Sequence, residues 1–309
     1  MTGDPLVILH VERLGDSDIY CGVAHTALRN ASALLNHLAF WPVFNSSRLQ
    51  SHRSWGGYLD EFHQQHPGIT EQVLGSATAG DGVTAYQWLV SSIALGDKQL
   101  ALDLACGSGP VQAAVKGFHW IGLDRSQSEL AEAARLLSSS LVRGDADHQP
   151  FSSGTFDLLT CSMALMLFNP VEAVLSEISR VVKVGGILAL LLPGSFPLST
   201  RDRIRYARLL AALHETRPAY PNGIHLGRLR SHLERHHFVV LVDERRCFRY
   251  QVTTERHAHT FVDSLYVPSI TPKRLKRSYE VAIGWTGSTI GVPLRKVVCQ
   301  RVGSSELQT

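Results

Sequence analysis

The sequence predicts a doubly wound α/β protein. From residue 99 onward, short apolar runs alternate with amphipathic helical runs. The apolar runs carry few polar positions, as expected of parallel strands covered on both faces rather than a half-exposed sheet. A glycine-rich loop joins the first such run to the first helix, where folds of this kind receive ligands.

The chain before that region is helical in character but irregular. Residues 31–40 are largely apolar and stop at Trp41-Pro42. Residues 55–74 carry Tyr58, Leu59, Phe62, Ile69 and Val73 and are broken by Pro67-Gly68. Residues 83–95 read as another helix, and the small residues of 75–82 as a hinge. Strands then follow at 100–104, 120–123, 141–143, 156–162 and 187–192, with helices at 111–116, 128–137 and 171–182 between them. Pro110 stands at the first turn of the first helix and Gly117 past its end. Beyond Pro193, helices are expected at 201–214 and 226–236, and strands at 238–250 and 296–302. Residues 253–285 lie between these last two strands and show helical apolar spacing at Phe261, Leu265 and Tyr266, then at Leu275, Tyr279, Ala282 and Ile283. Two consecutive antiparallel strands need only a tight turn, so this insertion is expected to form a lid or wall, with Tyr266, Tyr279 and Trp285 setting substrate preference.

Composition narrows the class. The chain has 309 residues, 44% hydrophobic and 18% charged, enough for a sizeable core. A net charge of +3 is too small to point to nucleic acid, which calls for a concentrated basic face. Cys21, Cys106, Cys161, Cys247 and Cys299 are scattered, odd in number and never spaced C-x-x-C, so they predict a reducing compartment rather than disulfides or a zinc ribbon. Met1-Thr2-Gly3-Asp4-Pro5 has no basic stretch before its short apolar run, so no signal peptide is read there. No apolar run approaches the ~20 residues that span a bilayer. The expected location is cytoplasmic.

The segment Leu102-Asp103-Leu104-Ala105-Cys106-Gly107-Ser108-Gly109 follows a strand and opens a helix, a setting for backbone N–H groups to meet a polar ligand. Glycine is needed where a ligand lies against the backbone, because a Cβ would block it. Asp124 ends the second strand about 20 residues later, where a carboxylate accepts ribose hydroxyls. That alone also fits a dinucleotide enzyme. However, Gln112 stands where G-x-G-x-x-G would have its third glycine, which disfavours NAD and FAD. Gly144-Asp145-Ala146 follows the third strand, with a carboxylate for an adenine amino group and a small residue beside the ring.

Residues 102–192 resemble the class I S-adenosylmethionine (SAM)-dependent methyltransferases, in particular the small-molecule group with the ubiquinone and menaquinone methyltransferases. Asp103, Gly107 and Gly109 match the first motif, Asp124 the ribose-binding acid, and Asp145-Ala146 the adenine contact. Ser162-Met163-Ala164-Leu165 matches the strand end that faces the methionine moiety, and 180–186 the turn before strand five. Ala105 and Val184 stand where the family commonly has glycine and proline. The resemblance implies a Rossmann-like seven-stranded sheet with an antiparallel last strand, an N-terminal helical cap over 1–95, and the insertion between the last two strands within a SAM-binding domain of 96–309. It implies SAM contacts from Asp103, Ala105, Cys106, Gly107, Gly109, Asp124, Arg125, Asp145, Ala146 and Ser162, with Tyr58 of the cap closing over the ligand.

The expected activity is methyl transfer to oxygen, carbon or nitrogen of a small, largely apolar molecule. Residues 163–168 form an apolar floor where amino-methylating enzymes carry Asn/Asp-Pro-Pro-Tyr. A SAM-fold protein that does not methylate, either a rearrangement catalyst or a binding module, is the alternative. His63, His66, His214 and His225 are the general-base candidates. Cys106 reads as a small buried filler. His232 and His236 share a helix face with no carboxylate in the surrounding pattern, so no metal site is expected. Arg201, Arg203, Arg205 and Arg208, and likewise Lys273, Arg274, Lys276 and Arg277, read as solvated faces. The partner expected is a small molecule, and the oligomeric state stays open, a homodimer included.

Overall fold

The computed structural model describes residues 54–93, 99–114, 117–137, 140–215, 218, 220–224 and 227–303. The helix expected at 31–40, the N-terminal residues, Cys21 and His225 lie outside them.

Three short helices come first: α1 (Trp55–Gln65), α2 (Ile69–Leu74) and α3 (Ala85–Val90). Ser54 caps α1 by accepting from Gly57 N–H at 3.2 Å. Gly68, in the left-handed region at φ 68°, makes the break between α1 and α2 expected at Pro67-Gly68. A capping box, Thr84 with Gln87, starts α3 two residues later than the apolar spacing suggests. The presumed hinge at 75–82 is pinned instead: Thr78 exchanges backbone hydrogen bonds with Arg249, at 3.3 and 2.7 Å.

The sheet is built from β1 (Gln99–Leu104), β2 (Phe118–Asp124), β3 (Ser140–Arg143), β4 (Phe156–Ser162), β5 (Val182–Pro193), β6 (Phe238–Val252) and β7 (Ser288–Arg301). Its order is β3-β2-β1-β4-β5-β7-β6, with β7 antiparallel to both neighbours and the other pairings parallel. This is the expected Rossmann-like seven-stranded architecture. Helices α4 (Pro110–Ala114), α5 (Gln127–Leu136), α6 (Val171–Val181), α7 (Thr200–Leu213) and α8 (Leu229–Arg235) follow β1, β2, β4 and β5. The insertion between β6 and β7 holds α9 (Glu255–Asp263) and α10 (Pro272–Ile283).

The strand period of two divides the core. Ala101, Leu158, Ala189 and Leu191 face one side with Trp88, Leu209, Phe261 and Trp285. Leu102, Leu159, Leu188 and Leu190 face the other with Leu175, Ile178, Leu229 and Phe238. All these residues are buried, so both faces of the sheet are covered. No described helix is long and apolar enough to cross a membrane.

Two strands run longer than their apolar cores. β5 begins at Val182 through Gly185 (φ 84°) and Gly186, where a Cβ would lie 2.9 Å from Lys183 O and from Val182 Cγ1. β7 begins at Ser288, because its polar first half pairs residue by residue with the long β6, from Val252↔Ser288 to Arg246↔Leu294.

Candidate functional site

The strand order reverses between β1 and β4, and a cavity of about 310 Å³ opens there beyond the carboxyl ends of β1 to β4. The loops after these strands supply Ala105 and Gly107, Asp124 to Ser126, Gly144 to Asp147, and Ser162 to Ala164. Trp55, Leu59, Asp60 and His63 of α1 cover it, Glu71 of α2 closes one side, and Tyr266 reaches in from the α9–α10 loop. The apolar end is completed by Leu167 and Phe168.

The loop after β1 is a run of left-handed backbone: Ala105 at φ 54°, Gly107 at 54° and Gly109 at 80°. Ala105 thus occupies a conformation in which glycine is cheaper. Asp124 ties the loop down. Its Oδ2 accepts from Gly107 N–H at 2.9 Å and its Oδ1 from Ser126 N–H at 2.8 Å. Burial raises its carboxyl above the ordinary range, against the pull of those two amides. Each oxygen keeps a further lone pair for a ligand hydroxyl.

Asp103 lies beneath the loop, 1% exposed, with Oδ1 accepting from Thr160 Oγ1 at 2.8 Å. Burial and then the neighbouring Asp124 push it up to about 7. Asp103 Oδ2 and Ser162 Oγ are buried without a hydrogen-bond partner. Arg125 pairs with Asp60 at 3.1 Å, and its guanidinium lies 3.9 Å from Asp145 at the rim. Trp55 Nε1 donates to Leu167 O at 2.8 Å, fastening α1 over the segment after β4.

Of the residues read from the sequence, Ala105, Gly107, Asp124, Arg125, Asp145, Ala146, Ser162 and His63 line the cavity. Asp103, Cys106, Gly109, Tyr58, His66 and His214 are placed elsewhere. Gly109 faces α5: a Cβ there would fall 2.1 Å from Leu137 Cδ1. Cys106 is buried with its thiol pushed up by burial. The Tyr58 hydroxyl meets the backbone of Val267, and burial raises it. His66 ends α1 against Phe62, and His214 is the exposed C-cap of α7. Within the insertion only Tyr266 of the three aromatic residues lines the cavity. Tyr279 donates to Asp263 at 2.5 Å, and Trp285 is 4% exposed in the core beside Phe261.

Sequence reasoning missed Glu129, Glu71 and Asp60 as lining residues. Glu129 occupies the first turn of α5 and is buried, accepting from His63 Nδ1 at 2.8 Å and from Gly68 N–H at 3.1 and 3.2 Å. Glu71 is pushed up to about 7 by burial and then by Glu129. It also missed the carboxylate that meets His232 and His236. Glu172 of α6 receives His232 Nδ1 at 2.5 Å and His236 Nε2 at 2.6 Å, with Arg235 at 3.0 Å, so these histidines form a half-buried hydrogen-bonded cluster around one carboxylate. Among the described residues no group of three His, Cys, Asp or Glu side chains has metal-holding geometry.

Residues 102–190 match the family model described as a methyltransferase domain. The chain is 34% identical over 133 residues to an uncharacterized methyltransferase of Synechocystis sp., covering 41% of this chain and 63% of that protein. It is 40% identical over 119 residues to the 2-phytyl-1,4-naphtoquinone methyltransferase of Synechococcus elongatus, covering 35% of this chain and 49% of that one. The chain therefore spans about half to two thirds of the length of these relatives. A solved structure of phosphoethanolamine N-methyltransferase 2 from Haemonchus contortus superposes with a TM-score of 0.51 at 15% identity, covering 82% of this chain and 61% of that one. Over residues 102–190 the chain is thus similar to methyltransferase domains, on a sheet of the order and loop geometry described above. Among such domains it resembles the quinone methyltransferases.

Proposed function

We propose that the protein binds SAM in this cavity and transfers its methyl group to a small, largely apolar molecule. The observation that carries this reading is the division of one cavity into two walls. Asp124, the Gly107 loop, Asp145-Ala146 and Ser162 form a polar wall, while Leu59, Met163, Leu167 and Phe168 form an apolar one. The unpartnered Ser162 Oγ fits a polar ligand on the first wall. Asp124 would hold ribose hydroxyls, Asp145 and Ala146 the adenine, and Ser162 the methionine portion, while Gly107 leaves the backbone bare. When bound, SAM supplies an electrophilic methyl on a sulfonium. The chain's part is to align the acceptor and exclude water, which Trp55 and Tyr266 do by closing the apolar end.

Calorimetry tests the binding half. Asp124→Ala removes hydrogen bonds to a charged acceptor, worth about 1.5–3 kcal/mol, so SAM affinity should fall roughly ten- to hundredfold. Equal affinities in a folded variant would remove Asp124 from the site. Mass spectrometry for S-adenosylhomocysteine formed with an acceptor tests the transfer half. Binding without that product would favour the non-methylating alternative.

A further inference from the structure

Three segments converge on one imidazole inside the cavity. His63 comes from α1, Glu129 from the first turn of α5, and Tyr266 from the loop between α9 and α10. The ring is fixed on one side: Nδ1 lies 2.8 Å from Glu129 Oε1, and Ser128 Oγ donates to the His63 carbonyl at 2.9 Å. The side chains of His63 and Glu129 are 21% and 4% exposed, so the pair is held away from bulk water. The other nitrogen is held only loosely, with Nε2 at 3.5 Å from the Tyr266 hydroxyl. A carboxylate on Nδ1 keeps the proton there and leaves Nε2 as the acceptor.

We propose that His63 is the catalytic general base, that Glu129 is its positioning residue, and that the methyl acceptor is a weakly acidic hydroxyl of the phenol or enol class. This rests on the SAM reading above and adds the reacting atom to it. An amine attacks through a free lone pair and needs no base beforehand, and an aliphatic alcohol is too weak an acid for imidazole. A phenol-type hydroxyl, near 10 in water, lies within reach of a histidine. The step balances. The acceptor oxygen gives an electron pair to the methyl carbon as the carbon–sulfur bond breaks, and that bond's pair stays on sulfur. The hydroxyl proton passes to His63 Nε2, so the positive charge lost from sulfur reappears on the imidazolium, against Glu129. The proton leaves to solvent after the product does.

The groups facing His63 set its titration. Burial opposes its charge, while Glu129 of α5, Asp124 at the end of β2 and Glu71 of α2 favour it, and the balance lies above 6.5. Tyr266 faces it from the insertion and stays protonated, because burial raises its hydroxyl. A base is active when neutral, so the rate should fall with decreasing pH, with an acid limb above that of an ordinary imidazole. Glu129→Gln takes away the main raising group and should carry that acid limb downward.

The test uses the full chain with SAM, 1-naphthol as hydroxyl probe and 1-naphthylamine as amine probe. His63→Asn retains an amide donor for Glu129 but no base. It should cut naphthol methylation by about hundredfold or more while SAM affinity holds within a few fold. Nitrogen NMR of the imidazole gives a readout independent of turnover. With S-adenosylhomocysteine bound, titrated naphthol should move the His63 Nε2 resonance, and Glu129→Gln should lower the midpoint of the His63 titration. Full naphthol activity in His63→Asn, an unmoved acid limb in Glu129→Gln, methylation of the amine alone, or a silent Nε2 resonance up to the solubility of naphthol would each overturn the proposal. Absence of SAM binding by the parent protein would instead overturn the reading beneath it.

Discussion

Gly109 offers the sharpest test of how the ligand loop is built. Its φ is 80°, and an added Cβ would lie 2.1 Å from Leu137 Cδ1 and 3.8 Å from Ala133 Cβ. Two separable penalties follow for Gly109→Ala. The left-handed backbone costs an alanine about 1–2 kcal/mol. The overlap with Leu137 adds about 0.5–1.5 kcal/mol, because this half-exposed side chain at the end of α5 must turn away from its present rotamer. The expected loss is about 1.5–3.5 kcal/mol in urea unfolding, read as a lowered midpoint at unchanged slope. Leu137→Ala in the same chain removes the overlap and leaves the backbone. The double variant should therefore recover the overlap part and retain about 1–2 kcal/mol of loss relative to Leu137→Ala alone. Affinity for SAM should fall less than for Asp124→Ala, since Gly109 lies off the cavity. A Gly109→Ala protein within about 0.5 kcal/mol of the parent would refute the steric reasoning. So would a double variant that recovers nothing.

Asp103 gives a pH prediction opposite in sign to the usual carboxylate. Held at about 7 when folded, against about 3.9 unfolded, it keeps a proton that the unfolded chain has released. Its contribution to stability therefore falls as pH rises from about 4 to about 7, and Asp103→Asn should flatten that part of the stability curve. Glu71 acts in the same direction, so a parent whose stability rises over this window relative to Asp103→Asn would contradict the burial argument. In the insertion, Trp285→Ala should cost about 3–5 kcal/mol of stability and leave acceptor preference unchanged, as expected of a core residue. Tyr266→Phe should do the reverse, changing the ratio of rates between two acceptors at nearly parental stability; equal ratios would show that the loop is scaffold.

The sheet was legible because its signal is local. Nearly continuous apolar runs and glycine at the loop reveal themselves within ten residues, and the ligand loop, Asp124 and Asp145-Ala146 are each such a feature. Strand ends were less legible where pairing rather than composition decides them. The first half of β7 carries Ser288, Thr289, Gly291 and Pro293, and there only the facing β6 makes it a strand. The base candidates were the least legible part. Four histidines looked equivalent, and what separates His63 is a carboxylate 66 positions away and a tyrosine 203 positions away. The same holds for His232, whose partner Glu172 lies 60 residues earlier on another helix. Spacing along one helix shows which side chains share a face, and nothing in it shows what that face meets.

Gln112 shows how a motif departure can be absorbed next door. A glycine at this place in dinucleotide folds lets the helix approach the sheet closely. Here α4 carries a buried glutamine, 6% exposed, while its neighbour Val111 lies in the core with Ala101 and Leu158 of the sheet. The room comes from Gly122 in β2. A Cβ there would lie 2.7 Å from Gln112 Nε2 and 2.9 Å from both Cys106 Sγ and Leu141 Cδ2. The small residue has in effect moved from the helix to the facing strand, and the space admits a polar amide beneath the loop. That amide is near Asp103 and weakly favours its charged form, although neither of its polar atoms completes a hydrogen bond. An alanine at 112 would make the loop resemble a dinucleotide fingerprint more closely. It would also strip Asp103 of that support and leave the carboxyl still more reluctant to ionise. The departure from the glycine pattern is therefore matched to the acid under the loop, and reading it requires Gly122 and Asp103 as well as the motif itself.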